Sequence, residues 1–207
     1  MRILGTDVRE SDAMSYCRYA SAERAKVEAF WGPTWAEPVR IRVDAKYKIS
    51  RALVPAHFGN RGFMEMPLVR MRRNDGALLH EIVHIYAPHA NRFLAEGIAV
   101  HLHAKLGGNG AFPNHGKPLG PLARRHLPSS ERMESLNAVR TPAPLGSVMD
   151  EEAAYVLAGS FVERLVERYE LAKFKALYET EAGDYEAVYG KSFAVLEQEW
   201  RTALKGM

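Results

Sequence analysis

The chain has 207 residues, 47% of them hydrophobic and 26% charged, with a formal net charge of +3, one cysteine and eight histidines. A chain of this length buries roughly 70% of the surface its unfolded form exposes, so it builds a core without covalent staples. The lone Cys17 excludes a disulfide framework and cysteine-rich zinc modules, and leaves histidines and carboxylates as the ligands for any metal.

Apolar runs fall short of the roughly 18 residues that a membrane span needs, and the opening MRILGTDVRESD carries charges where a signal peptide would be apolar. A cytoplasmic location is expected, or an exported one if the N-terminus is a processing boundary. The densest basic run, Arg70 to Arg73, is interrupted by Met71, so no nucleic-acid partner is expected.

In chain order, Ser21 is placed to cap a helix through AERAKVEAFWG that stops at Gly32-Pro33. VRIRVD alternates apolar Val39, Ile41 and Val43 with polar partners and predicts a strand. Gly62 to Met71 predicts a second extended run, demoted to an edge strand by Pro67, which has no N–H to donate to a ladder. An edge strand of this kind can pair with a peptide. From Asn74 the period becomes helical: Asn74 or Asp75 caps, Leu78, Leu79, Ile82, Val83 and Tyr86 form the apolar stripe, and Ala87-Pro88 ends it. A second helix starts at Asn91 and runs through Phe93, Leu94, Gly97, Ile98 and Leu102 to Gly107-Gly108. The short link predicts an antiparallel helical hairpin.

Gly107 to Gly146 holds six glycines and six prolines and reads as a long loop with a short helical stretch at SSERMESLNAV. Asp150 caps a long helix whose stripe is Tyr155, Ala158, Val162, Leu165 and Tyr169, with Glu151 and Glu152 at its positive end. Two further helices follow, divided by Gly183 and Gly190, one with Phe174, Leu177 and Tyr178 and the other with Phe193, Leu196, Trp200 and Leu204. The pattern predicts an α+β fold: a small mixed sheet with an edge strand, a helical hairpin and a helical C-terminal lobe. The expected organisation is one domain over residues 1–207, divided into an N-terminal α+β part (1–73), the hairpin (74–106), a Gly/Pro-rich loop (107–147) and the C-terminal lobe (148–207).

LLHEIVHIY within the hairpin is an HExxH motif. It sets His80 and His84 four residues apart on one helical face, with Glu81 beside the first. Both imidazoles reach one ion at about 2.0–2.1 Å, and FLAEGIA in the facing helix offers Glu96 as a third ligand. The fourth position stays open for water, which marks a catalytic site. The alternative pattern HExxHxxGxxH fails, since Ala87 replaces its glycine and Ala90 its last histidine; His89 misses the register by one residue. Gly97 is expected to allow close packing at the hairpin crossing.

The stretch LLHEIVHIYAPHANRFLAEGIAVHLH resembles the gluzincin metallopeptidases, especially the compact bacterial peptidase MA-like group, in which HExxH is followed by [WF]LxEGxA. The resemblance covers about 30 residues closely and extends more loosely to AAYVLAGSFVERLVERY and FAVLEQEW, while most of residues 1–60 is unmatched. It implies a zincin-like fold, one Zn2+ on His80, His84 and Glu96, Glu81 as general base, and Tyr155 as a hydroxyl donor to the tetrahedral intermediate. Tyr169 and Tyr178 are chemically equal candidates for that last role. GFMEM echoes the GxMEN motif of the aminopeptidase branch, with Met66 in place of Asn; Glu65 is expected to be solvated and outside the site. Some relatives carry an Asp one turn after the ligand Glu to orient a histidine; Val100 stands there, leaving Asp150, Glu151 or a backbone carbonyl. His57, His101, His103, His115 and His126 are expected at the surface or behind the ligands.

The expected activity is hydrolysis of a peptide or protein substrate: zinc lowers the pKa of a water, Glu81 takes its proton and passes it to the leaving amine, and the substrate adds to the edge strand. The competing reading is a non-catalytic protein-binding module holding a structural zinc. A third possibility is a latent enzyme with residues 107–146 as a lid.

Overall fold

The computed structural model describes residues 1–53, 61–180 and 183–206, without the side chains of 129–131; His57 lies outside the described residues. Four strands form one mixed sheet in the order β1 (Arg2–Leu4), β2 (Arg40–Asp44), β4 (Phe63–Pro67), β3 (Arg51–Leu53). The first three run parallel, and β3 pairs antiparallel with β4, Ala52 opposite Met64. β2 is the predicted strand: Ile41 and Val43 are buried, while Arg40 and Arg42 lay their guanidinium groups over the Phe63 ring at 4.7 and 4.4 Å.

The run from Gly62 to Met71 departs from its expected role as an edge. β4 is paired on both sides, and its last residue is Pro67, after which the chain turns into α2 (Leu68–Arg73). A proline ending a strand removes no interior ladder bond, and its φ of −59° suits the entry to a helix. The edge passes instead to β3. Like β1, it has only three residues, too few to show alternation.

α1 (Glu10–Trp31) starts well before Ser21, with Glu10 and Asp12 at its positive end. The Ser21 hydroxyl donates back to the Cys17 carbonyl rather than capping. Gly32 at φ 101° ends the helix, as the breaker requires. Asn74 likewise caps no helix start; at φ 53° it closes α2, and α3 (Leu78–Tyr86) follows from Ala77. α4 (Arg92–Lys105) begins where expected, the Asn91 side chain accepting from the Leu94 N–H at 3.2 Å.

The Gly/Pro-rich segment carries more structure than a loop. α5 (Leu119–His126), a 3-10 stretch (Leu127–Arg132), α6 (Met133–Asn137) and a second 3-10 turn (Leu145–Ser147) bury Leu119, Leu122, Ala123, Met133, Leu136 and Leu145 in the core. Pro121 sits in the first turn of α5, where no intrahelical N–H is required, so the proline that suggested a loop is compatible with a helix. α7 (Glu151–Tyr169) is capped by Asp150, which accepts from the Ala153 N–H at 3.0 Å. α8 (Leu171–Tyr178), a short α9 (Tyr185–Tyr189) and α10 (Phe193–Lys205) complete the chain. Among the described residues no helix is long and apolar enough to cross a membrane.

The centre of the molecule is the crossing of α4 and α7. A Cβ on Gly97 would stand 2.6 Å from Val162 Cγ2 and 2.9 Å from the Ala158 carbonyl oxygen, so the glycine serves contact with α7 rather than with α3. Gly159 answers from the other side, its missing side chain filled by Val100. Beside this crossing, Phe161 packs on Phe93, Phe193 and Trp200 at ring separations of 5.5, 5.2 and 6.1 Å, and the Trp200 indole N–H donates to Ser160 at 3.1 Å.

Of the two places expected for them, His101 and His103 take the interior: both are fully buried on α4, and burial draws both down to about 4. His115 is exposed and His126 half-buried. Across from His101, Glu163 lies 3.9 Å away; burial, assisted by Glu167 and opposed by Lys105, raises its carboxyl to about 7.

Two outcomes follow from this packing. Gly97→Ala gains up to about 1 kcal/mol of helix propensity but loses about 1–3 kcal/mol to overpacking against a backbone carbonyl, so its thermal midpoint should fall by several degrees; an unchanged or higher midpoint would contradict the packing. For Glu163, the native state holds a proton more tightly than the unfolded chain, whose carboxyl titrates near the ordinary 4.5. The stability this provides is present below about pH 4.5 and lost as pH rises to about 7. Glu163→Gln should therefore match the parent in melting experiments near pH 4.5 and exceed it by a few degrees at pH 8.

Candidate metal centre

α3 is buried along its whole length, and its C-terminal end is held by side chains from other parts of the chain. The Tyr86 hydroxyl donates to Glu28 at 2.7 Å and accepts from Arg24 at 2.6 Å, tying the helix to α1. At its C-terminal end Arg61 donates to the Ile85 carbonyl and Thr34 to that of Tyr86, satisfying groups that a helix leaves without partners. These contacts anchor the last turn of α3, immediately after His84.

Four residues apart on that helix, His80 and His84 bring their Nε2 atoms to 3.1 Å from each other. Glu96, from the second turn of α4, sets Oε2 at 3.0 Å from the first and 3.1 Å from the second. Its other oxygen, Oε1, is taken by the Arg92 guanidinium one turn earlier on α4. The three donor atoms meet the chemistry of a metal better than that of a proton. Two N–H groups can both donate to Oε2, but the N···N contact is then left with no bonding role. A single cation accepts all three lone pairs at once. The edge of a tetrahedron with bonds of about 2.0 Å is about 3.3 Å, close to these separations. Two imidazoles and a carboxylate are also a donor set suited to zinc. Among the described residues this is the group of histidine and acidic side chains that can hold a metal ion.

Electrostatics divide the two glutamates. Burial works to raise Glu96, but His84 and Arg92, with the hydrogen bonds from both histidines, overcome it and hold the carboxyl well below the usual carboxylate range. Burial also raises Glu81, only partly offset by His80 and reinforced by Glu96, and here burial prevails. Glu81 Oε2 accepts from the Ala52 N–H at 2.6 Å, so the carboxylate next to the cluster is steered by the edge strand β3. As that N–H points away from β4, the carbonyl of Ala52 does too. The free side of β3 therefore faces the cluster.

The cluster forms part of the lining of a cleft of about 500 Å³, with Ala52, Phe112 and Tyr155 among its other walls. The Tyr155 ring stacks 6.3 Å from that of His80, with their planes at 22°, and lies 5.4 Å from Phe112. Burial, helped by Glu96, raises its hydroxyl well above the ordinary value, so it stays protonated. The other two tyrosines are engaged elsewhere: Tyr169 donates to Glu199, and Tyr178 to the Ala87 carbonyl at 2.6 Å. His89 turns away, Nδ1 accepting from the Asn91 N–H and Nε2 meeting the Thr180 carbonyl.

Three readings of polar residues need revision. Glu65 is 8% exposed and paired with Arg51 at 2.6 Å rather than solvated, because β4 is interior. Asp150 is spent capping α7 and gives no support to a histidine. His80 Nδ1 is buried without a hydrogen-bond partner among the described residues. The sequence reading also missed Arg92 and Ala52. The first was legible as an i,i+4 partner of Glu96 on one helix face; the second acts through its backbone and leaves no side-chain signal.

No family model and no curated protein matches the chain. Among solved structures, it is similar to the M1 zinc metallopeptidase from Deinococcus radiodurans, with a TM-score of 0.48 and 17% identity over 95% of this chain and 44% of that one. A point mutant of the M1 zinc metallopeptidase from the same organism gives 0.44 and 16% over 98% and 43%. The chain thus spans under half the length of these neighbours, and at such values the likeness is one of general shape; the chemistry of the site rests on its own geometry.

Proposed function

We propose that the chain is a zinc-dependent peptidase of the gluzincin kind with a zincin-like fold, in which His80, His84 and Glu96 hold one zinc ion and Glu81 is the general base. The observation that carries this reading is the approach of His80 Nε2, His84 Nε2 and Glu96 Oε2 to within 3.1 Å of one another, beside a further carboxylate that is not among them. Zinc bound there would supply Lewis acidity and a water of lowered pKa, towards about 7.

The side chains account for the remaining steps. Ala52 fixes one oxygen of Glu81, leaving Oε1 to take a proton from the attacking water and hand it to the amine nitrogen as the C–N bond breaks. Arg92, paired with the other oxygen of Glu96, favours its ionised form, so it serves as a ligand and does not compete for that proton. Tyr155, kept protonated by burial, donates to the oxygen that gains charge when the scissile carbonyl becomes tetrahedral. An extended peptide adds to the free side of β3, which brings its backbone past Glu81. A module that only held a structural zinc would need a closed ligand shell; the open cleft and the buried, non-ligand Glu81 favour hydrolysis.

Glu81→Gln should retain zinc by elemental analysis while cleavage of a broad peptide library falls by at least about 100-fold. Turnover equal to the parent would refute the role of base, and zinc without cleavage in the parent would favour the binding module. Tyr155→Phe should lower kcat by about 100-fold with KM within a few-fold, since its hydroxyl acts mainly as charge develops; an unchanged kcat would remove Tyr155 from the mechanism.

A further inference from the structure

The cleft carries three guanidinium groups, and they are not equivalent. Arg92 is neutralised by Glu96, and Arg51 by Glu65. Arg70, on α2, lines the same cleft half-buried, and its guanidinium makes no hydrogen bond or ion pair with any described residue. It shares the lining with Ile49, Ser50 and Ala52, from β3 and the residues leading into it.

We propose that Arg70 is a specificity residue that binds a carboxylate of the substrate peptide; this rests on the peptidase reading above. A guanidinium in a partly desolvated cleft without a counter-charge is incompletely solvated, and a planar carboxylate is its geometric complement, accepting two parallel N–H bonds. Glu65, the acid that the GFMEM echo would assign to a substrate amino terminus, is sealed by Arg51 and takes no part in the cleft lining. Of the acids that do line it, Glu96 is paired with Arg92, Glu81 is taken up with the attacking water in the reading above, and Glu151 is solvent-exposed, where its attraction for a cation is screened. The unmatched charge facing a bound chain is therefore positive. A substrate carboxylate has two sources, an Asp or Glu side chain and the C-terminal carboxylate, and both are chemically suited to Arg70.

The test uses the full-length chain and four fluorogenic peptides of one sequence: Glu with an amidated end, Gln with a free C-terminal carboxylate, Gln with an amidated end, and Lys with an amidated end. The parent should show a KM about tenfold lower for at least one carboxylate-bearing peptide than for the neutral one, with kcat within about twofold. Whichever of the two gains identifies the source. Arg70→Ala should erase the preference, Arg70→Lys should keep part of it, and Arg70→Glu should shift it to the Lys peptide. Fluorescence anisotropy with the same peptides on the Glu81→Gln protein should give the same ranking as Kd values. If the parent cleaves none of the peptides yet carboxylate binding still depends on Arg70, the peptidase reading fails while this site stands. Equal KM and Kd for all four peptides, no binding of any, or a preference that survives in Arg70→Ala would overturn it.

Discussion

The burial of the Glu96 carboxylate is the constraint around which the rest is arranged. At 2% exposure an isolated carboxylate would be driven to its neutral form, because desolvation of a charge costs far more than folding can supply. Here every direction around it is answered. Arg92 holds one oxygen, two imidazoles face the other, and the result is a carboxyl group held ionised against its surroundings. A buried charge so surrounded is weak evidence for stability, since an apolar replacement of similar volume often serves a core as well. It is better understood as a requirement of the site, which the scaffold has to accommodate.

That accommodation is made by helix packing. Glu96 is followed at once by Gly97, and the lack of a side chain there lets α7 approach α4 until Ala158 and Val162 meet the glycine. Gly159 makes the approach mutual, and Tyr155, one turn before it on α7, is carried into the cleft beside His80. The same crossing that buries the carboxylate thus brings Tyr155 into the cleft. On the far side, Tyr86, Arg24 and Glu28 fix α3 against α1, so the histidine pair is rigid for a separate reason. The cluster is assembled from two helices, α3 and α4, each held by a contact that lies outside it.

The cluster was largely legible in the sequence because it depends on helical periodicity, which sequence spacing reports directly. His80 and His84 lie at i and i+4 on one face, and the start of the helix bearing Glu96 is marked by the Asn91 cap. What escaped was information that spacing does not contain. Gly97 announces a close approach but not by which helix, and α7 rather than α3 came. β1 and β3 are shorter than the two-residue alternation needs in order to show itself. Between Gly107 and Gly146 the density of glycine and proline reads as a loop because a count says nothing of position, and Pro121, in the first turn of α5, breaks nothing. For His101 and His103 the spacing leaves surface and interior open, and the packing of α3 and α7 on α4 decides for the interior.

β3 shows best how the unread parts govern the read ones. Pro67 ended β4 and left that strand interior, so the edge fell to three residues between it and the cleft. Within them, Ala52 directs its N–H to Glu81 and, by the geometry of a strand, turns its carbonyl the same way. The edge strand is therefore also the element that holds the Glu81 carboxylate. A chain that paired with this edge would meet the very group that orients Glu81, so in the proposed reaction substrate binding and proton transfer would share one backbone amide. Nothing in the identity of residue 52 announces this, since any residue other than proline offers the same N–H. The chemistry is written in side chains that a sequence displays, but their alignment comes from a backbone edge whose place is set by where a neighbouring strand stops.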